Sequence, residues 1–73
     1  MKINVDYVVH KSIEVEIEPT DKDFKKAKGD DWAYLVQKAY DAAYEAVKKH
    51  EETEGFDIVE MWTDKLGDIW IGD

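Results

Sequence analysis

Ile3, Val5, Tyr7 and Val9, then Ile13, Val15 and Ile17, repeat at every second position, with Lys2, Asn4, Asp6, Glu14, Glu16 and Glu18 between them. Period two is the spacing of a β-strand with one apolar and one wet face, so this segment belongs to a sheet covered on one side. If it folds back as a hairpin, the register follows from parity. A two-residue loop at His10-Lys11 would set Val9, Tyr7 and Val5 opposite Ser12, Glu14 and Glu16, mixing the faces. Centring the reversal on Lys11 pairs Val9 with Ile13, Tyr7 with Val15 and Val5 with Ile17, and is the expected register. A single long bent strand is the alternative, because no glycine marks the loop.

A helix follows. Pro19-Thr20-Asp21 ends the strand and caps a short first turn carrying Phe24 and Ala27; Gly29 interrupts it and Asp30 offers a new N-cap. From Asp31 to about Glu52 nothing breaks a helix. At 100° per residue Trp32, Leu35, Val36, Ala39, Ala43, Ala46, Val47 and His50 share one side, while Gln37, Lys38, Asp41, Glu45, Lys48 and Lys49 share the other. Ala39, Ala42, Ala43 and Ala46 leave little bulk mid-stripe, so the helix axis can approach a sheet closely. Lys48 and Lys49 complement the C-terminal dipole, and Gly55 is the expected stop.

The last segment reads as a second hairpin. Asp64-Lys65-Leu66-Gly67 suits a type I turn followed by a left-handed glycine. With that turn Thr63 faces Ile69, Met61 faces Ile71 and Trp62 faces Trp70. One side then holds Val59, Met61, Thr63, Ile69 and Ile71, the expected core; the other holds Ile58, Glu60, Trp62 and Trp70. The predicted class is α+β: β-β-α-β-β, an antiparallel sheet with one long helix packed across one face. It forms a single small α+β domain over residues 1–73, since a chain of 73 residues has no material for a second core.

Charge and composition narrow the function. Eighteen acids against ten lysines give −8, and with no arginine the chain lacks the fork that reads phosphates and bases bidentately. Direct nucleic-acid binding is not expected. Residues 51–73 carry eight acids and one lysine, so a partner drawn by long-range electrostatics is basic and is steered toward the C-terminal third. No apolar run approaches the ~20 residues of a membrane span, and the start meets charge too early for a signal peptide, making a cytoplasmic protein the default. With no cysteine, thiolate metal sites, disulfides and cysteine nucleophiles are excluded.

No catalytic constellation emerges. The histidines are forty residues apart; His50 falls on the buried stripe and His10 at the proposed turn. Ser12, Thr20, Thr53 and Thr63 lack any nucleophile signature around them. Asp21-Lys22-Asp23 and Asp30-Asp31 lack the calcium-loop pattern and read as helix caps, and Glu51, Glu52 and Glu54 as a solvated run. The glycines are scattered, so no nucleotide cofactor is implied. Neither a catalytic residue, a metal site nor a cofactor is expected.

Two surfaces remain. Glu14, Glu16 and Glu18 form a carboxylate row spaced ~6.6–6.8 Å along a strand, which either imitates a nucleic-acid backbone or guards an edge. Trp62 and Trp70, near Ile58 and surrounded by Glu60, Asp64 and Asp68, put large aromatics on the open face, where a partner would cover them. These nine residues are the predicted partner-binding set. In size, acidity and lack of catalytic equipment the chain resembles, as a class, the small inhibitors encoded by phages and mobile elements, including anti-CRISPR and DNA-mimic proteins. That resemblance implies an inhibitor of a basic, nucleic-acid-handling protein. The competing expectation is a homodimer joined through the tryptophan face, since a core this small rarely supplies more than ~3–5 kcal/mol.

Overall fold

The alternating segment folds back as β1 (Lys2–Val8) and β2 (Lys11–Glu16), antiparallel neighbours in the computed structural model, which describes residues 1–8, 11–27, 29–53 and 55–72. The expected apolar face forms, with Ile3, Val5, Tyr7, Val15 and Ile17 all buried. The register differs: Val5 lies opposite Ile13 and Ile3 opposite Val15, four residues along β2 from the expected pairing. Charge explains the difference. The expected register would set Asp6 opposite Glu16, whereas the observed one sets Lys2 opposite Glu16 and Asp6 opposite Ser12, whose hydroxyl donates to the Asp6 carboxylate. An even displacement leaves every residue on its face. The expectations placed on Val9, His10 and Glu54 lie outside the described residues.

Thr20 caps α1 (Asp21–Lys26) as expected, in a reciprocal box. Its hydroxyl accepts from the Asp23 N–H at 3.2 Å, while its own N–H donates to Asp23 Oδ2 at 2.8 Å. These bonds hold the Asp23 carboxyl below the usual range. Gly29, at φ 59°, occupies the N-cap of α2 (Asp30–Glu51) in place of Asp30, which becomes the first helical residue. Phe24 and Trp32 pack edge to face across this junction, ring centres 5.2 Å apart. Ala39, Ala43 and Val47 are buried, and the helix backbone runs nearer β2 than β4 (Gly67–Ile71), as the alanines permit. Two details depart from expectation. His50 is exposed rather than on the buried stripe, its Nε2 3.8 Å from a Glu51 oxygen, and the left-handed C-cap is Glu52 (φ 55°), ahead of Gly55.

The chain then returns through β3 (Asp57–Thr63), which pairs antiparallel with β1, and β4, giving the order β2-β1-β3-β4. The fold is therefore α+β with the β-β-α-β-β order and the long helix across one face. Two irregularities reassign side chains in the second hairpin. Between β1 and β3, Asp6 faces Glu60 but Tyr7 faces Ile58, so Val59 is an extra residue. Between β3 and β4, Trp62 faces Asp68 but Met61 faces Trp70, so Ile69 is extra. Each bulge reverses the in-out alternation beyond it. Ile58 turns into the core and Val59 out of it; Trp70 turns inward beside Ile69, and Ile71 is 64% exposed. The predicted core positions Met61, Thr63 and Ile69 hold, while Val59 and Ile71 do not. The turn has the expected glycine, Gly67 at φ 74°, yet closes tighter: Thr63 pairs with Gly67, and the Thr63 hydroxyl accepts from the Leu66 N–H at 2.9 Å.

Candidate functional site

Because α2 covers one face of the sheet, the other is open, and its composition follows from the registers. One row across the four strands reads Glu14, Asn4, Trp62, Asp68; the next reads Ser12, Asp6, Glu60, Ile71. Glu16 and Lys2 continue the face at one end, and Lys2 Nζ lies 3.6 Å from Glu14 Oε1. With Asp57, which stands opposite the exposed Val8, six carboxylates share the face with one lysine among the described residues, and the half-buried Trp62 is its aromatic centre.

The indole is held in place. Trp62 Nε1–H donates to Asp6 Oδ2 at 3.3 Å, and the Asn4 side-chain amide donates to the Trp62 carbonyl at 3.4 Å. Glu60 is crowded by like charge. Hydrogen bonding with Asp68, burial, and the charges of Asp68 and Asp6 push its carboxyl above the usual range. An arrangement that resists ionisation of one of its own acids would be relieved by a cation brought from outside.

The nine predicted partner-binding residues divide. Glu14, Glu16, Glu60, Trp62 and Asp68 share the open face. Asp64 sits exposed in the β3–β4 turn. Glu18 lies beyond β2, where it lines a shallow depression with Lys38 and Asp41 of α2, so the row ends at Glu16. The paired-tryptophan expectation is overturned: Trp70 stands opposite Met61 on the helix side, its ring 5.1 Å from that of Tyr40 at 65°. Ile58 is likewise in the core, opposite Tyr7. Asn4 and Asp6 were not among the predicted residues. Their even positions already placed them on the wet face; missing was the knowledge that β1 is the strand beside β3.

On the covered side, Trp32, Val36 and Tyr40 of α2 and Ile69 and Trp70 of β4 line a groove of about 420 Å³ along the β4 edge. The hydroxyls considered as nucleophiles serve local structure. Ser12 bonds Asp6, Thr20 caps α1, Thr53 accepts from the Gly55 N–H at 3.1 Å and Thr63 closes the β3–β4 turn. Among the described residues no three His, Cys, Asp or Glu side chains are grouped to hold a metal ion, and no helix is long and apolar enough to cross a membrane. Neither a protein-family model, nor a curated protein, nor a solved structure matches the chain, so the geometry above carries the functional reading.

Proposed function

We propose that this chain is a non-catalytic protein-binding module that uses the open face of its sheet to engage a basic protein, acting as an inhibitor of a nucleic-acid-handling partner in the anti-CRISPR or DNA-mimic manner. The observation that carries the reading is Trp62, fixed by Asp6 and flanked by Glu60 and Asp68 on a face with six carboxylates among the described residues. An aromatic platform inside an acidic ring suits a lysine or arginine, which gains cation–π and charge-assisted contacts together. Each carboxylate also adds to the field that steers a basic partner inward. The hydroxyls' engagement in caps and turns supports a non-catalytic role, and a cysteine-free chain suits the cytoplasm. Self-association is disfavoured, because a twofold contact through this face would press two acidic surfaces together.

Affinity capture with the wild type, Trp62→Ala and the combined Asp6→Asn/Glu60→Gln/Asp68→Asn variant tests the reading, once circular dichroism shows all three folded. A basic protein retained by the wild type and lost from both variants supports it. Capture that is indifferent to both variants, or a partner without a basic surface, rejects it. Replacing Glu14, Glu16 and Glu18 together with glutamine should slow association and flatten its salt dependence.

A further inference from the structure

The two edges of the sheet are unlike. The β2 edge carries Lys11, Glu14 and Glu16, the charged guard that discourages another strand from pairing there. The β4 edge carries Ile69, Trp70 and Ile71 with Asp68 as its only charge, and Ile71 is 64% exposed. Its backbone is also available. The Gly72 N–H donates to the Val59 carbonyl at 2.8 Å, so in an antiparallel ladder the N–H and C=O of Ile71 point away from β3, toward the open edge. Beside this edge lies the groove between β4 and α2, floored by Ile69 and Trp70, which the bulge turns inward together.

We propose that β4 accepts an extended segment of the partner as a fifth strand, with alternate apolar side chains entering the groove lined by Trp32, Val36 and Tyr40 and the intervening basic side chains lying over the open face beside Asp68 and Glu60. Strand geometry dictates the alternation, because a segment paired with β4 has one set of side chains on the helix side and the other in line with the rows that end at Asp68 and Ile71. Charge selects the occupant. A second copy would bring its own −8 to this edge, whereas a lysine- or arginine-bearing strand is complementary to it. The inference rests on the open-face reading for the sign of the partner's charge and adds its conformation.

The probe is a synthetic nine-residue peptide alternating lysine with valine or phenylalanine. It is titrated by calorimetry and by amide chemical shifts into the full chain, alongside a peptide of the same composition with the lysines in one block. Two further peptides carry N-methyl groups on only the lysine amides or only the apolar amides. Since alternate amides of a strand point to opposite edges, one methylated peptide should lose binding by about tenfold or more while the other keeps it. The amide signals of Asp68 to Ile71 and the rings of Trp70 and Tyr40 should shift, and exchange of the Ile71 N–H should slow. Ile71→Pro, which removes an outward donor at an edge position that tolerates proline, should weaken the alternating peptide in the same way.

Equal binding by the alternating, block and methylated peptides, with shifts confined to Trp62 and the carboxylates, would overturn strand addition while leaving a basic partner on the open face. Binding by none of them would overturn both. A dimer abolished by Ile71→Pro would assign the edge to a second copy and overturn the proposal.

Discussion

The hydroxyl of Tyr7, on β1, donates to Oε2 of Glu51, the last residue of α2, at 2.7 Å, tying the end of the helix to the centre of the sheet. Lys11 Nζ reaches the same carboxylate at 3.0 and 3.2 Å. Tyr7 is buried, and burial together with the Glu51 carboxylate pushes its hydroxyl up to about 12 from 10.0. Glu51 moves the other way, its carboxyl held below the usual range by Tyr7 and Lys11.

These opposite shifts predict two limbs in the pH dependence of stability. Glu51 ionises more readily folded than unfolded, so its contribution is complete above the ordinary carboxylate range and is lost as pH falls through the lowered folded value. Tyr7 holds its proton more tightly folded than unfolded, so its contribution is complete below pH 10.0 and is lost as pH rises toward about 12. Denaturant unfolding across pH should show Tyr7→Phe flattening the alkaline limb and Glu51→Gln flattening the acid limb. An alkaline limb unchanged in Tyr7→Phe would separate the hydroxyl from stability.

The helix approaches the sheet at alanines. Ala39 and Ala43 are fully buried, and α2 runs nearest β2. Ala43→Leu should therefore destabilise by about 1–3 kcal/mol, since the added carbons have nowhere to go in a packed interface. A neutral result in thermal or urea unfolding would mean that the helix sits farther from the sheet.

Trp70 and Ile71 exchange the roles their sequence spacing assigns. Trp70 packs on Tyr40 over the core, and Ile71 faces solvent. Trp70→Ala should cost about 3 kcal/mol, the low end for a tryptophan truncation because part of the ring is exposed. Ile71→Ala should stay within about 0.5 kcal/mol of the wild type. Comparable losses at both positions would place Ile71 in the core and remove the bulge at Ile69.

Legibility from sequence stopped where the chain departs from simple periods. The helix and the first strands' faces were readable because Trp32 to Val47 keep a 3.6-residue stripe and Ile3 to Ile17 keep a period of two. The second hairpin was not, because each bulge adds one residue to one strand and reverses the parity on which the reading relied. That parity alone places Ile58 and Trp70 on the open face, whereas both turn toward the helix side. The signature of both bulges is local backbone geometry, which Val59 and Ile69 do not announce by residue type. Charge narrows the first hairpin's register without fixing it: displacements of zero and two residues oppose Asp6 to Glu16 or Glu14, whereas the observed displacement of four sets Asp6 opposite Ser12 and Lys2 opposite Glu16.

The open face makes a final prediction through Glu60. Its carboxyl is raised by hydrogen bonding with Asp68, by burial, and by the charges of Asp68 and Asp6, so the folded state holds this proton more tightly than the unfolded one. The associated stability is complete below the ordinary carboxylate range and is lost as pH rises through the raised folded value, leaving the ionised cluster strained at neutral pH. Glu60→Gln should therefore stabilise the free chain at neutral pH. Asp68→Asn should return the Glu60 titration, followed by its side-chain carbonyl carbon shift, toward the ordinary value. A basic partner acts on the same equilibrium, because a cation over the cluster favours the ionised acid. Binding of the alternating lysine peptide should strengthen as pH rises through the Glu60 titration. It should also release a proton, seen as a dependence of the calorimetric heat on the buffer's ionisation enthalpy. Glu60→Gln should abolish that dependence, and a proton release that survives the substitution would move the cation's docking point away from Glu60.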